Sequence, residues 1–469
     1  MRTVVVEEVQ APEPSRLAAG LQHRPGFFFL DSGLAAAGLG AYSFLGFDPF
    51  LTFRATDGRV WRNEAGVETA VETEPWAELR ALLQGFRSEP HEQLPFTGGA
   101  VGYLSYDYGA GWEITRKEKT RAEGETSPPD LEFGFYDGIL AFSHSTRQWF
   151  LVANPIHRAS AKEILERLRR AVAAAIAEVN SDAQPDSLAE LSTPRACEPR
   201  ERYVAAVYRI KDYIRSGDVY QVNLAQRFEA SWRGNPYDLY RRLRQRSPAP
   251  FAAFLSQDWG QVVSCSPERF LRLRHGKVET RPIKGTRPRG ATPEEDRRLA
   301  EELVRSAKER AELLMIVDLE RNDLGRVCAP GSIRVEDLYR LETHPTVFHL
   351  VAEVSGVLRP ECDVLDLLRA TFPGGSITGA PKIRAMQIID ELESAARHLY
   401  TGAVGYLGFD GGCDLSIAIR TIVTRNGRAS YHVGAGIVWD SDPESEYEET
   451  LAKGRALFEA LAGTGGTSE

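Results

Sequence analysis

The sequence predicts a mixed α+β fold, and three observations carry this. Short apolar runs closed by Gly, Asp and Pro occur beside longer stretches rich in Ala, Arg and Glu, so both strands and helices are present. They follow one another without the regular rhythm of βαβ units. Near the C-terminus, two apolar runs flank Asn426-Gly427, a strong signal for a tight antiparallel hairpin.

The elements follow in chain order. Within an N-terminal region of residues 1–180, residues 1–155 read mostly as short strands and turns, with FFFLDSG (27–33), YSFLGFDPF (42–50) and the Gly- and aromatic-rich LPFTGGAVGYLSYDYG (94–109). The polar, Pro-ended stretch 116–130 reads as a surface loop, and 159–179 as a helix. Residues 181–200 have the composition of a linker. The second region, 201–462, opens with a helix broken at Ser216-Gly217-Asp218, then the strand VYQVNLAQRFEA. Strands flank SPERF (266–270), and helices are expected over 293–317 and 379–395. Residues 414–424 and 429–439 form the hairpin strands. A last helix starts near Asp442-Pro443, where Pro suits the first turn, and runs to about 462.

Composition narrows the function classes. The 469 residues carry a formal charge of -9, with no basic track for nucleic acid. An acidic protein that binds an anion must concentrate positive groups locally. The five cysteines are odd in number and lack CxxC spacing, as expected of a reducing compartment without a disulfide framework. The start, MRTVVVEEVQ, is no signal peptide, and the apolar run at 171–179 is too short to span a membrane. A cytoplasmic location is the expectation.

Several side chains stand out chemically. Glu309 and Glu312, and likewise Glu446 and Glu449, are three residues apart, which puts each pair on one helix face. Four such carboxylates would suit a hard cation, although each pair alone reads as a solvated face. Arg281, Lys284, Arg287 and Arg289 crowd RPIKGTRPRG, either an anion trap or an exposed basic loop. Glu268 is a candidate acid or base, or a partner for a neighbouring Arg. Alternation places Ser416, Ala418 and Arg420 on one strand face, and Gly434 and Gly436 share a face of the hairpin mate. That arrangement reads as a carboxylate clamp over a glycine floor, or as a structural ion pair. GGSITGAPK (374–382) lacks a P-loop ending. His349 sits in an apolar run, where a core histidine is the default reading.

Taken together, SPERF, PIKGTRPRG, AELLMIVDLERNDLGRV, FHLVAEVSG, FPGGSITGAPK, IAIRT, VGAGIV and SEYEETLAK occur in an order that closely resembles the chorismate-utilising enzymes. Within them the chain resembles the aminodeoxychorismate synthase component I family more than its sister, the anthranilate synthase component I family. Lys284 in PIKGT is the discriminator, because anthranilate synthases typically have PIAGT. Gln221 in YQVNL argues against the water-adding members, which carry lysine there. The match is strongest from about 201 to 460.

The resemblance implies a fold of two large packed β-sheets with helices outside. It implies that Glu309, Glu312, Glu446 and Glu449 hold Mg²⁺. Gly285, Thr286, Ser376, Tyr400, Arg420, Gly434, Gly436 and Lys453 would bind chorismate. Lys284, Glu268 and His349 would be catalytic, with Lys284 attacking C2 and Glu268 protonating the departing C4 hydroxyl. Arg281, Arg287 or the metal would depress the Lys284 pKa. Ammonia would come from a glutaminase subunit (component II). The rival expectations are anthranilate synthase component I and a non-catalytic chorismate-binding subunit. In related anthranilate synthases a segment near the N-terminus helps bind inhibitory tryptophan. The matching Phe29-Leu30-Asp31-Ser32 has Asp for Glu, which disfavours such feedback.

Overall fold

The computed structural model describes residues 3–34, 39–115, 128–180, 192–345 and 347–462. Most of the expected loop 116–130 and of the linker 181–200 lies outside them.

Two 12-stranded sheets dominate the described residues. Strands from both ends of the sequence enter each one. In the first sheet, Phe28–Asp31 pairs antiparallel with Phe251–Gln257, with Phe29 opposite Phe254. In the second, Gly99–Leu104 pairs with Ala403–Gly408, with Gly102 opposite Gly405. These strands are apolar enough to be buried on both faces. Phe28, Phe44, Val262 and Ile139 from one sheet meet Tyr103, Val404 and Tyr406 from the other. Helices cover the outer faces. Ala161–Asn180, Pro236–Arg246 and Pro443–Ala462 close the first sheet, and Pro75–Gly85 and Ala307–Gly325 the second. The result is a sandwich of sheets between helices, the fold expected from the resemblance.

The hairpin forms at Asn426-Gly427, both with positive φ (49° and 74°), joining Thr421–Arg425 to Arg428–Ile437. Such a turn matches the twist of the strands it joins. Two expectations need correction. The helix expected over 293–317 is two helices, Pro293–Arg305 and Ala307–Gly325. Ser306 divides them because its hydroxyl accepts from Glu309 N and caps the second. The run 379–395 is helical only over Lys382–Leu392, since Gly379-Ala380 pairs with Gln221-Val222 instead.

Candidate active site

Two crossings between the sheets build the site. The chain leaves the first sheet at Ser266 and enters the second at Arg269, so Glu268 stands in the step between. It returns between Cys413–Ile417 and Thr421–Arg425. The two steps are laced together: Ile417 N donates to Glu268 O, and Cys265 N to Arg420 O, both at 3.1 Å. The expectation that Arg420 lies within one strand, sharing a face with Ser416 and Ala418, is therefore corrected. A strand that switches sheets must break its ladder and bend, and Arg420 takes φ 49° there. Its guanidinium donates to Ser247 Oγ at 3.3 Å, and burial lowers its pKa.

Lys284 is aimed by a bulge. On Ile283–Pro288, Lys284 lies opposite Leu350 and Thr286 opposite His349, so Gly285 is the extra residue, with φ 73°. Such a bulge re-aims side chains and favours glycine. A Cβ at 285 would also fall 3.0 Å from Glu309 Oε2. Lys284 Nζ donates to Ser376 O at 3.4 Å. Burial lowers its pKa; Glu312, Glu268 and Glu309 oppose this, and Lys453 reinforces it.

The arginines of RPIKGTRPRG do not converge with Lys284. Arg281 pairs with Glu342 and Glu353, Arg287 with Glu302 and Glu309, and Arg289 with Asp296. The anion trap and the role of Arg281 and Arg287 in depressing the Lys284 pKa are both set aside. Each guanidinium is engaged by a carboxylate, and desolvation is the leading cause at the lysine.

Glu268 is 5% exposed, and its Oε1 has no hydrogen-bond partner. Burial raises its pKa to about 7, against the opposing pull of Ser376 and Lys284. Ser376 Oγ and both polar atoms of the Gln221 side chain are likewise buried without a hydrogen-bond partner. Unsatisfied buried polar groups are costly, so their convergence marks a place for a polar ligand. The glycine floor lies beneath them. A Cβ on Gly436 would stand 2.6 Å from Gln221 Nε2 and 3.6 Å from Lys284 Nζ. On Gly434 it would stand 2.8 Å from Tyr400 Oη.

The remaining side chains frame this space. Tyr400 stacks on His432 at 5.2 Å between ring centroids. Lys453 Nζ donates to Gly434 O at 3.3 Å. His349 Nδ1 lies 3.1 Å from Thr286 Oγ1, and burial pushes its pKa down to about 3, so the ring is neutral near pH 7. Arg397, which sequence reasoning missed, lies over the Tyr400 ring at 5.6 Å. It is 2% exposed, donates to Asn223 O and Ile377 O, and pairs with Glu393. Its only sequence signal is a charge in an otherwise short turn after a helix.

Both glutamate pairs lie on helices, Ala307–Gly325 and Pro443–Ala462. They influence each other across the gap: Glu446 helps raise the Glu312 pKa, after burial as the main cause. Among the described residues, no three His, Cys, Asp or Glu side chains form a group ready to hold a metal ion. Groups of the chain itself engage the carboxylates: Arg287 at Glu309 (3.4 Å), Lys308 at Glu312 (3.9 Å), Lys453 at Glu449 (2.6 Å) and Ser441 at Glu446 (2.5 Å). The donor set nevertheless fits a hard divalent cation. It is all oxygen, and Glu312 Oε1 is buried without a hydrogen-bond partner.

A cavity of ≈ 160 Å³, which Lys284 does not line, is bounded by residues that include Leu30, Asp31, Ser32, Arg269 and Asp414. The Asp31 carboxylate there is already engaged by Tyr240 Oη (2.8 Å), Ser43 Oγ (3.2 Å) and Arg244 Nε.

Known proteins align with this architecture. The family of chorismate binding enzymes matches residues 28–459. Aminodeoxychorismate synthase component 1 of Klebsiella aerogenes is 45% identical over 373 residues, covering 80% of this chain and 79% of the relative. The Escherichia coli K12 protein of the same name is 39% identical and covers 94% of each. Anthranilate synthase component 1 of Aquifex aeolicus is 39% identical, covering 92% of this chain and 88% of the relative. The crystal structure of anthranilate synthase component I from Streptococcus pneumoniae superposes with a TM-score of 0.78 at 33% identity, covering 91% and 94% of the two chains. With the match extending through both sheets and over every residue of the site just described, this chain belongs to the chorismate binding enzymes.

Proposed function

We propose that this chain is a magnesium-dependent aminodeoxychorismate synthase subunit. It replaces the C4 hydroxyl of chorismate with an amino group, on the way to para-aminobenzoate and folate. A separate glutaminase subunit supplies the ammonia. One observation carries this reading: half-buried Lys284 and buried Glu268 interact electrostatically at one site, with their pKa values displaced in complementary directions. Burial favours the free amine of the lysine and the neutral acid of the glutamate, the two forms the reaction needs. The aminodeoxychorismate synthase relatives support the same activity.

The residues divide the work. Arg420 and Lys453 hold the substrate carboxylates, and Tyr400 with the glycines at 434 and 436 shapes the ring slot. Mg²⁺, held by Glu309, Glu312, Glu446 and Glu449, would supply positive charge to a ring carboxylate. Glu268 gives its proton to the C4 hydroxyl, which leaves as water. The Lys284 nitrogen forms a bond to C2 as the C4–O bond breaks and the ring double bonds shift. Ammonia then bonds to C4, the double bonds return, and the C2–N bond to Lys284 breaks. The Glu268 carboxylate takes the surplus proton. Neutral His349, held by Thr286, lines the slot without adding charge.

The test is to incubate the purified chain with chorismate, Mg²⁺ and an ammonium salt and to identify the product by mass. Aminodeoxychorismate, convertible to 4-aminobenzoate by an added lyase, is the expected product. Fluorescent anthranilate with pyruvate would assign the chain to the other branch, and no turnover would favour a non-catalytic binding subunit.

A further inference from the structure

Three residues of RPIKGTRPRG reach away from Lys284 toward one neighbouring group of side chains. Arg281 pairs with Glu342, Thr286 Oγ1 lies 3.1 Å from His349 Nδ1, and Arg289 Nη1 donates to His344 O at 3.0 Å. The three targets stand together. Glu342 lies opposite His349 on the adjacent strands Arg334–Thr343 and Val347–Val357. His344 follows the first of these strands, and its Nε2 lies 3.5 Å from Glu342 Oε2. Its ring stands against that of His349, with centroids 5.2 Å apart and planes at 62°, an edge-on arrangement. Both histidines are buried. The His344 backbone is held at both ends, because its N also donates to Val347 O at 2.9 Å. Burial would raise the Glu342 pKa, but His344, Arg281 and Arg340 hold it down at about 2, so the anchor is a carboxylate. A histidine χ2 torsion is broad and two-fold, so one contact at Nδ1 leaves the His349 ring a competing flipped state. A second ring packed against it opposes that rotation.

We propose that His344 is the positioning residue for His349, its ring fixing the imidazole in the chorismate slot while Glu342 and Arg289 hold His344 in place. This rests on the reading of His349 as a residue of that slot. His344 acts through His349 alone. Arg281 and Arg289 thereby gain a role: they brace the histidine pair rather than tune the lysine. With Thr286 at Nδ1 and His344 against the ring, the slot keeps one wall unchanged through both displacements.

A double-mutant cycle on the full-length chain, assayed with chorismate, Mg²⁺ and an ammonium salt, tests this. His344→Ala should lower kcat roughly ten- to hundredfold and leave the KM for chorismate within about twofold, because the His349 ring stays in the slot but out of place. In a His349→Ala background the same substitution should cost nothing further, since its effect runs through the missing ring. His344→Phe, which keeps the edge contact, should recover most of the activity. His344→Gln, which keeps only the polar reach to Glu342, should not. The imidazole ¹⁵N spectrum gives a readout independent of turnover. Signals that vanish in His349→Ala should form one sharp set in the wild type and in His344→Phe, and split or broaden in His344→Ala and His344→Gln. An equal loss in both backgrounds, or a Phe variant no better than the Ala variant, overturns the positioning role and leaves the place of His349 standing. A His349→Ala enzyme that turns over at the wild-type rate overturns the slot reading of His349 and the proposal with it.

Discussion

At Glu268, burial and neighbours pull in opposite directions, and burial wins. The side chain has no hydrogen-bond partner for Oε1, so its charged form is poorly solvated and its pKa rises to about 7. The folded state therefore holds this proton more tightly than the unfolded chain does. By linkage, that contribution to stability is lost as pH rises from the unfolded value of 4.5 through about 7. Glu268→Gln should consequently melt above the wild type at about pH 8 and close to it at about pH 5, in paired thermal scans. A gap that widens toward acid would contradict the assignment. In turnover the same variant loses the proton donor, and a fall of roughly 10²–10⁴ in kcat is expected. Lys284→Ala should fall at least as far, because it removes the attacking nitrogen. Aminodeoxychorismate formed by Lys284→Ala at the wild-type rate would end the covalent scheme.

At the scale of elements, the site depends on where strands stop being regular. The bulge at Gly285 aims Lys284, and the paired crossings place Glu268 beside the return through Arg420. The hairpin strand Arg428–Ile437 contributes absence of side chain rather than presence. A methyl group at 436 would press on Gln221 and approach Lys284. Gly436→Ala should keep the fold, by circular dichroism, yet lower kcat/KM roughly hundredfold through misplacement of the ring. An active Gly436→Ala enzyme would mean that the ring does not lie over this floor.

At the scale of the whole molecule, each sheet is continuous across the sequence halves. Phe28–Asp31 pairs with Phe251–Gln257, and Gly99–Leu104 with Ala403–Gly408. Removing residues 1–180 would strip both seams and expose two long, apolar strand edges, a template for aggregation. Expression of residues 201–462 alone should give insoluble or misfolded protein, read by gel filtration and circular dichroism. A soluble, cooperatively melting fragment would show that the second region folds without its neighbour.

The sequence by itself determined the element types, the hairpin turn, the helical glutamate pairs and, by resemblance, the family. These signals are local: turn chemistry, periodicity and ordered motifs survive without knowledge of distant contacts. It misplaced Arg420, because alternation along 414–424 looks the same whether a strand stays in its sheet or crosses to another. It credited Arg281 and Arg287 with tuning Lys284, because adjacency in sequence hides the partners that come from elsewhere, Glu342 and Glu309 among them. Only the tertiary structure decided which charges neutralise one another and how deeply Lys284 and Glu268 are buried. Desolvation is a property of everything packed around a group, and most of what surrounds these two arrives from segments far away in the chain.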